Sequence, residues 1–145
     1  MLMASRTRTA AELWDGWLEM WNEDPGAAHK IIGAEYRLHL PTTGATIDPE
    51  TIRDPGAMAD WVAGFTGKFE GLRYETDLGP VVDGELAVCR WFGTATCLGR
   101  TGWPSDVPGK RITWVGVDIL RIVDGWIVEA WTQGAETDER PPSDV

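Results

Sequence analysis

Residues 116–131 read Gly-Val-Asp-Ile-Leu-Arg-Ile-Val-Asp-Gly-Trp-Ile-Val-Glu-Ala-Trp. Apolar residues run through both sides of Asp124-Gly125, a dipeptide that is typical of a two-residue β-hairpin turn. A turn of this type makes Val123 and Trp126 the first paired residues. The segment therefore predicts two antiparallel strands, at about 111–123 and 126–133, joined by a tight turn.

The register of this hairpin decides which side chains share a face, because strand side chains alternate between two sides. Extended without a break, the register pairs Leu120 with Glu129 and Asp118 with Trp131. Asp118 and Glu129 then lie diagonally on one face, within roughly 7–8 Å of each other. Burial and like charge both raise the pKa of a carboxyl group, so either residue could act as a general acid or base near neutral pH. A structural role for Asp118, either as a buried hydrogen-bonded residue or as the partner of Arg90 or Arg37, is the alternative.

The opposite face of the hairpin is also mostly apolar. It carries Val115, Val117, Ile119, Val123, Trp126 and Val128. An exposed apolar sheet face of this size promotes association. We therefore expect a second copy of the chain to cover it, which would make the protein a homodimer.

Two amphipathic helices are predicted ahead of these strands. The first begins at a capping box of Thr9 and Glu12 and carries an apolar stripe at helical spacing: Trp14, Trp17, Leu18 and Trp21. The second begins at Asp54-Pro55 and carries Met58, Trp61, Val62, Phe65 and Phe69. Between them lie a short helix at about 27–33, an extended segment at 36–41 and a loop at 42–53.

Two further strands are predicted at about 72–81 and 85–98, and flexible chain at 1–9 and 135–145. Helices followed by antiparallel strands are typical of the α+β class. We expect a single domain, 1–145, in which a curved antiparallel sheet wraps around the N-terminal helices.

Charge and hydropathy exclude several classes of partner. The net charge is −10 and no stretch is rich in Lys or Arg, so we expect no binding to nucleic acid or to anionic membranes. No apolar run approaches the about 20 residues of a membrane-spanning helix, and the N-terminus lacks the apolar core of a signal peptide. A cytoplasmic location is therefore expected.

The counts of cysteine, histidine and tryptophan are also informative. Cys89 and Cys97 lie eight residues apart on one predicted strand, roughly 26 Å, which is too far for a disulfide. Two Cys and two His, scattered along the chain, make no metal site. No nucleophile motif, phosphate loop or dinucleotide fingerprint is present, so no cofactor is expected. The nine Trp suggest that some indoles line a cavity or an interface.

The segment 116–131 closely resembles the C-terminal signature of the SnoaL-like polyketide cyclases, a family of ketosteroid-isomerase-like α+β barrels. The order of elements is similar over most of the chain, including Tyr36 to His39 before a proline. The resemblance implies a cone-shaped fold with a single deep apolar pocket and a cofactor-independent cyclase of bacterial secondary metabolism. It also implies an acid/base role for Asp118, which matches the acidic residue of the family.

Three positions depart from the family pattern. Cys97 stands where members often have a histidine, Trp126 replaces a lysine, and Ala130 replaces a histidine. The expected pocket therefore has fewer polar groups and more indoles, and it resembles that of cyclases that form carbocycles by cycloaddition, such as the indane ring of indanomycin-type ionophores. A bulky apolar polyketide is the expected substrate. The Gly99–Gly109 loop, which carries Trp103, is the expected lid.

We expect Asp118 and Glu129 to be the catalytic residues. The side chains expected to bind substrate are Trp17, Tyr36, Trp61, Phe65, Trp103, Trp114, Leu120 and Trp131. Two other functions stay open. An epoxide hydrolase or isomerase would need Arg90 to bridge the two carboxylates, whereas a non-catalytic binder of apolar ligands would need only the indole-lined pocket.

Overall fold

The structure is a computed structural model that describes residues 7–41 and 47–144. These residues form α1 (Ala10–Asn22), α2 (Ala28–Ile31), α3 (Pro55–Thr66), β1 (Ile32–His39), β2 (Phe69–Asp83), β3 (Leu86–Cys97), β4 (Arg111–Val123) and β5 (Trp126–Glu136). Short 3-10 helices lie at Pro25–Ala27, Pro49–Thr51 and Pro142–Asp144. The predicted α+β class is confirmed.

Helix α1 begins where the sequence predicts, because its first N–H groups are capped. The Thr9 hydroxyl accepts a hydrogen bond from the Glu12 backbone N–H, and the Glu12 carboxylate accepts one from the Thr9 N–H, both at 3.1 Å. Of its predicted apolar stripe, Trp14 and Trp17 are buried, and Leu18 and Trp21 are half-buried against the core. Leu13 and Met20 are buried as well. The Trp14 indole N–H donates to Thr76 at 2.8 Å and joins the helix to β2.

Helix α3 also begins as predicted, with Asp54 as its cap and Pro55 in its first turn. It ends earlier than expected. The helix stops at Thr66, before Gly67, a poor helix former. Phe69, which was predicted to continue the helical stripe, is instead the first residue of β2 and remains buried against the core.

The five strands form one open, curved sheet in the order β1-β5-β4-β3-β2. Strands β2 to β5 are antiparallel, as predicted, but β1 runs parallel to β5 at one edge. The expectation of a wholly antiparallel sheet is therefore wrong for β1. Because most of the chain separates β1 from β5, no hairpin turn dictates their relative direction.

A β-bulge in β5 determines which hairpin residues face the helices. The turn pairs Val123 with Trp126, as predicted, and Ile122 with Ile127 follows. The next pair is Arg121 with Glu129, so β5 contains one extra residue and the register shifts by one.

The predicted pairs beyond the bulge are wrong, because a one-residue shift moves every later side chain of β5 to the other side of the sheet. Leu120 pairs with Ala130, and Asp118 pairs with Thr132. We call the side that packs on α1 and α3 the inner face and the opposite side the outer face. Asp118 lies on the inner face, whereas Glu129 lies on the outer face with Arg121.

Two glycines let the indole of Trp91 lie flat on the inner face. Trp91 of β3 pairs with Gly116 of β4, which pairs in turn with Gly134 of β5. A Cβ at Gly116 would lie 2.4 Å from Cζ2 of Trp91, and one at Gly134 would lie 2.9 Å from its Cη2. Any larger residue would push the indole off the sheet.

The C-terminal segment crosses the outer face where flexible chain was predicted from residue 135. Strand β5 extends to Glu136, and the Ser143 backbone N–H donates to the Glu75 carboxylate at 2.9 Å. Glu139 pairs with Arg90 at 3.1 Å. Phe92, on the outer face of β3, is only 2% exposed. The chain therefore covers part of its own outer face.

Parts of two other predictions concern residues that the structure does not describe. Residues 1–6, 42–46 and 145 lie outside the described residues, so most of the expected N-terminal flexible segment and part of the 42–53 loop do too.

Arg8 is described, and it donates to the Gly125 carbonyl at 2.8 Å while its guanidinium lies 4.5 Å from the centre of the Trp126 ring.

Cys89 and Cys97 are both on β3, and both are buried free thiols, as predicted. None of the helices within 7–41 and 47–144 combines the length and apolarity needed to cross a membrane.

We predict that Gly116→Ala lowers the free energy of unfolding by about 1–3 kcal/mol, because the new methyl group meets the Gln133 carbonyl at 2.3 Å and Trp91 at 2.4 Å. Gly64→Ala is the matched control. Its Cβ meets nothing within 4 Å, and alanine favours the helix, so this variant should gain up to about 1 kcal/mol. Urea unfolding of both variants checks this, and equal effects would contradict it.

Candidate active site

A cavity of about 770 Å³ lies between the inner face of the sheet and helices α1 and α3. Its volume is within the range of small-molecule binding sites. Seven of the nine tryptophans line it: Trp14, Trp17, Trp21, Trp61, Trp91, Trp103 and Trp114. The expectation that indoles line a cavity is therefore confirmed.

Asp118 is the buried carboxylate of this cavity. Its side chain is 5% exposed, and Oδ2 accepts a hydrogen bond from the Trp17 indole N–H at 3.0 Å. The other oxygen, Oδ1, is buried and has no hydrogen-bond partner among the described residues. One carboxylate oxygen therefore positions the side chain against α1, and the other is available to a ligand.

Burial raises the pKa of the Asp118 carboxyl from 3.8 to about 6. Thr132, Trp91 and Trp17 act in the opposite direction, since each favours the ionised form. Thr132 and Trp91 are close enough to lower the pKa, yet neither makes a hydrogen bond of normal geometry to Oδ1. Asp118 therefore changes its charge near pH 6, which suits an acid/base group at neutral pH.

Two hydrogen-bond donors also face the cavity. The Trp91 side chain is 6% exposed, and its indole N–H finds no acceptor within 7–41 and 47–144. The Tyr74 hydroxyl accepts a hydrogen bond from the Trp114 indole N–H at 3.3 Å. Burial raises the pKa of Tyr74 well above 10, so the hydroxyl keeps its proton and can donate a hydrogen bond to a ligand.

The loop between β3 and β4 brings Trp103 to the mouth of the cavity. Trp103 is 37% exposed, and its ring lies 6.2 Å from Phe65 and 5.7 Å from Phe69, centre to centre. Asp106 organises this loop by accepting hydrogen bonds from the backbone N–H and the hydroxyl of Thr101. These bonds lower the pKa of Asp106 to about 2. The loop that we expected to act as a lid therefore lies at the cavity mouth.

The structure brings together most of the expected pocket residues. Asp118, Trp17, Trp61, Phe65, Trp103 and Trp114 line the cavity. Tyr36 and Leu120 are buried in the core but are not part of the cavity wall. The Tyr36 hydroxyl lies 3.9 Å from Sδ of Met58.

Glu129 and Trp131 are on the outer face, because the β5 bulge turns them away from Asp118. His39 lies 2.7 Å from the Glu129 carboxylate, and its ring stacks on Trp131 with the centres 5.0 Å apart. Arg121 donates to the same carboxylate at 3.1 Å. Hydrogen bonds from His39 and Arg121 lower the pKa of Glu129. The prediction that Asp118 and Glu129 share a face is wrong.

Arg90 does not bridge the two carboxylates either. Its guanidinium pairs with Asp77 at 2.5 Å and with Glu139 at 3.1 Å, outside the cavity. The arrangement that an epoxide hydrolase would need, two carboxylates joined by this arginine, is therefore absent from the described part of the chain.

The cavity residues that the sequence-based prediction missed include Tyr74, Trp91 and Thr132. The alternation of Cys89, Trp91 and Gly93 along β3 is a signal for Trp91, but it does not say which face meets Asp118. That depends on the pairing of β3 with β4 across a long loop. Thr132 could not be found without the bulge.

The profile of the family described as SnoaL-like domain matches residues 12–130. The chain belongs to the SnoaL-like domain family. The match runs from the first turn of α1 into β5 and contains Asp118 together with its partner Trp17. No curated protein matches this chain.

Solved structures share the fold of this SnoaL-like chain. IdmH from Streptomyces antibioticus, a candidate polyketide cyclase, is 23% identical with a TM-score of 0.71, covering 88% of this chain and 92% of its own. A candidate polyketide cyclase from Acidithiobacillus ferrooxidans is 24% identical with a TM-score of 0.73, covering 90% and 91%. TsrD from Streptomyces laurentii is 24% identical with a TM-score of 0.67, covering 86% of each.

No group of three or more His, Cys, Asp or Glu side chains in the described ranges of this SnoaL-like domain could hold a metal ion. The cavity offers one buried carboxylate of raised pKa, a small set of hydrogen-bonding side chains that includes Tyr74, Trp91 and Thr132, and a large aromatic wall.

The buried carboxyl of Asp118 should make stability depend on pH. Its folded pKa of about 6 lies above the unfolded value near 4, so the folded state holds the proton more tightly and stability falls as pH rises from about 4 to beyond 6. We predict that wild type loses about 3 kcal/mol relative to Asp118→Asn over this range.

Urea unfolding of both proteins at pH 4, 5, 6, 7 and 8 measures the difference. The two proteins share every titratable group except Asp118, so the difference between their stabilities isolates the titration of this carboxyl group. A stability difference that does not change with pH would mean that Asp118 titrates normally.

Proposed function

We propose that this chain is a cofactor-independent polyketide cyclase that closes a ring in a bulky apolar intermediate of bacterial secondary metabolism. The single observation that carries the proposal is a 770 Å³ indole-lined cavity with one buried carboxylate, Asp118, at its wall. The buried free thiols of Cys89 and Cys97 are consistent with a reducing cytoplasm. The family match and the cyclase-type neighbours support the same reaction class.

The cavity shape supports catalysis by confinement. Aromatic side chains from α1, α3 and the sheet surround the space, including an edge-to-face contact of Trp21 with Trp61 at 5.3 Å. A flexible apolar chain bound between such walls is held in a folded conformation with its two reacting ends close together. The loss of conformational entropy then occurs on binding and no longer adds to the barrier of ring closure. Proximity of this kind can lower a barrier by several kcal/mol.

Because the cavity has few polar groups, it favours a ring closure that needs no proton transfer by the protein. An aldol closure needs a base and stabilisation of an enolate, whereas a [4+2] cycloaddition rearranges electron pairs within the substrate and needs only a polarised carbonyl or a fixed orientation. We therefore propose the cycloaddition type. Above pH 6 the ionised Asp118 accepts a hydrogen bond from the substrate, and Tyr74 can donate one to a carbonyl oxygen.

We predict that Asp118→Asn lowers kcat/KM for ring closure by about 10–100-fold and removes a rise in activity with a midpoint near pH 6. The measurement is cyclisation of a linear polyene polyketide precursor, followed by chromatography between pH 5 and 8.

Glu129→Gln is the matched control, because it makes the same carboxylate-to-amide change on the outer face. Its activity should stay within about twofold of wild type. Equal activity of wild type and Asp118→Asn at every pH would remove Asp118 from the chemistry without removing the cyclase.

A carrier of apolar ligands is the second candidate, because the same cavity could bind without catalysing. The observation that favours it is that aromatic side chains make up so much of the wall. The protein is a carrier if it binds the precursor saturably and the product forms no faster than in buffer alone.

We also propose a homodimer formed through the uncovered part of the outer face. Val117 and Trp126 on this hairpin are 39% and 40% exposed, and Val115 and Ile119 lie beside Val117 on the same face of β4. A second copy would remove these side chains from water.

Light scattering should therefore give twice the mass of one chain for wild type and the mass of a single chain for Val117→Lys. Val82→Lys is the control and should remain dimeric, because Val82 is an exposed apolar residue of β2 that pairs with Ala87 on the inner side of the sheet. If wild type is a monomer at protein concentrations of about 50–100 μM, this dimer is excluded.

A further inference from the structure

Two buried polar atoms of the cavity wall have no hydrogen-bond partner among the described residues: Nε1 of Trp91 and Oδ1 of Asp118. Their side chains are 6% and 5% exposed, and both line the cavity. Buried polar atoms are paired in nearly all proteins, so an exception at a cavity wall is a sign of a ligand contact.

The two atoms are complementary in chemistry. An indole N–H can only donate a hydrogen bond, and an ionised carboxylate oxygen can only accept one. They belong to adjacent strands, since Trp91 pairs with Gly116 and Asp118 lies two residues further along β4 on the same face. Trp91 is also close enough to Asp118 to lower its pKa.

Both side chains are held in place by other contacts. The Trp91 indole lies against Gly116 and Gly134 and meets Tyr74 edge-on with the ring centres 5.1 Å apart. The Asp118 carboxylate is anchored by the Trp17 indole N–H through Oδ2. Both residues line the cavity, and Nε1 of Trp91 and Oδ1 of Asp118 are the atoms that these contacts leave unpaired.

We propose that Trp91 and Asp118 form a subsite for one hydroxyl group, an alcohol or an enol, of an otherwise apolar substrate. The hydroxyl oxygen accepts from Nε1 of Trp91, and the hydroxyl hydrogen is donated to Oδ1 of Asp118. A hydroxyl is the smallest group that satisfies both atoms, whereas a ketone or ether satisfies only Trp91 and a hydrocarbon satisfies neither. The inference rests on the proposed function in so far as the cavity holds an apolar substrate, and it adds the group that fixes its orientation.

The test compares three rigid probes of nearly equal shape: 1-adamantanol, 1-methoxyadamantane and 1-methyladamantane. Calorimetric titration at pH 8, where Asp118 is ionised, gives the three dissociation constants. Wild type should bind the alcohol at least about tenfold more tightly than either of the others, because a missing partner leaves a buried group unpaired.

Three variants assign the preference to the two atoms. Trp91→Phe removes the N–H while keeping an aromatic ring, and it should lose most of the preference for the alcohol. Trp131→Phe is the matched control, since it removes an indole N–H on the outer face, away from the cavity, and it should retain the preference. In Asp118→Asn, the amide oxygen can keep the bond from Trp17 and the NH₂ group then faces the subsite. Two donors favour an acceptor, so this variant should prefer the methyl ether to the alcohol.

The proposal is overturned if wild type binds none of the probes or all three equally. It is also overturned if Trp91→Phe keeps the preference or if Trp131→Phe loses it to the same extent. The titration involves no turnover, so it is independent of the proposed function. A preference for the alcohol without ring closure would keep the subsite and exclude the cyclase, and ring closure without the preference would do the reverse.

Discussion

The hydrogen bond from the Trp17 indole to Oδ2 of Asp118 is the interaction on which the site depends. It joins the buried face of α1 to the middle of β4 and compensates in part for placing a carboxylate among aromatic side chains. Because only one of the two carboxylate oxygens is paired, the other remains available at the cavity wall. Burial raises the pKa of Asp118 to about 6, although the Trp17 hydrogen bond acts in the opposite direction, so the carboxylate is anchored and still has a raised pKa.

Backbone features decide which groups surround this carboxylate. The β5 bulge turns Glu129 and Trp131 outward and places Thr132 beside Asp118. Gly116 and Gly134 then make room for the indole of Trp91 on the inner face. A shift of one residue in β5 or a methyl group on β4 would change the polarity or shape of the cavity without altering any catalytic side chain.

The fold is shared with cyclase-type proteins that are 23–24% identical to this chain, and at such distances the chemistry must be argued from the residues. Here the cavity carries seven indoles and few hydrogen-bonding groups. Its polar atoms are therefore informative about the substrate, because each one needs a partner once water is excluded. A large aromatic wall with one buried carboxylate and a small number of other hydrogen-bonding side chains suits an apolar molecule that is held at a few points and otherwise shaped by contact.

The sequence by itself determined the elements whose signals are local. The capping box of Thr9, the Asp54-Pro55 helix start and the Asp124-Gly125 turn are each set by a few neighbouring residues, and alternation from that turn placed Asp118 inward correctly. Only the tertiary structure decided the β5 bulge, the parallel pairing of β1, the course of the C-terminal segment and the position of Trp91 beside Asp118. These features depend on contacts between segments far apart in the chain, where a one-residue shift has little local cost and the packing of the whole sheet selects the register.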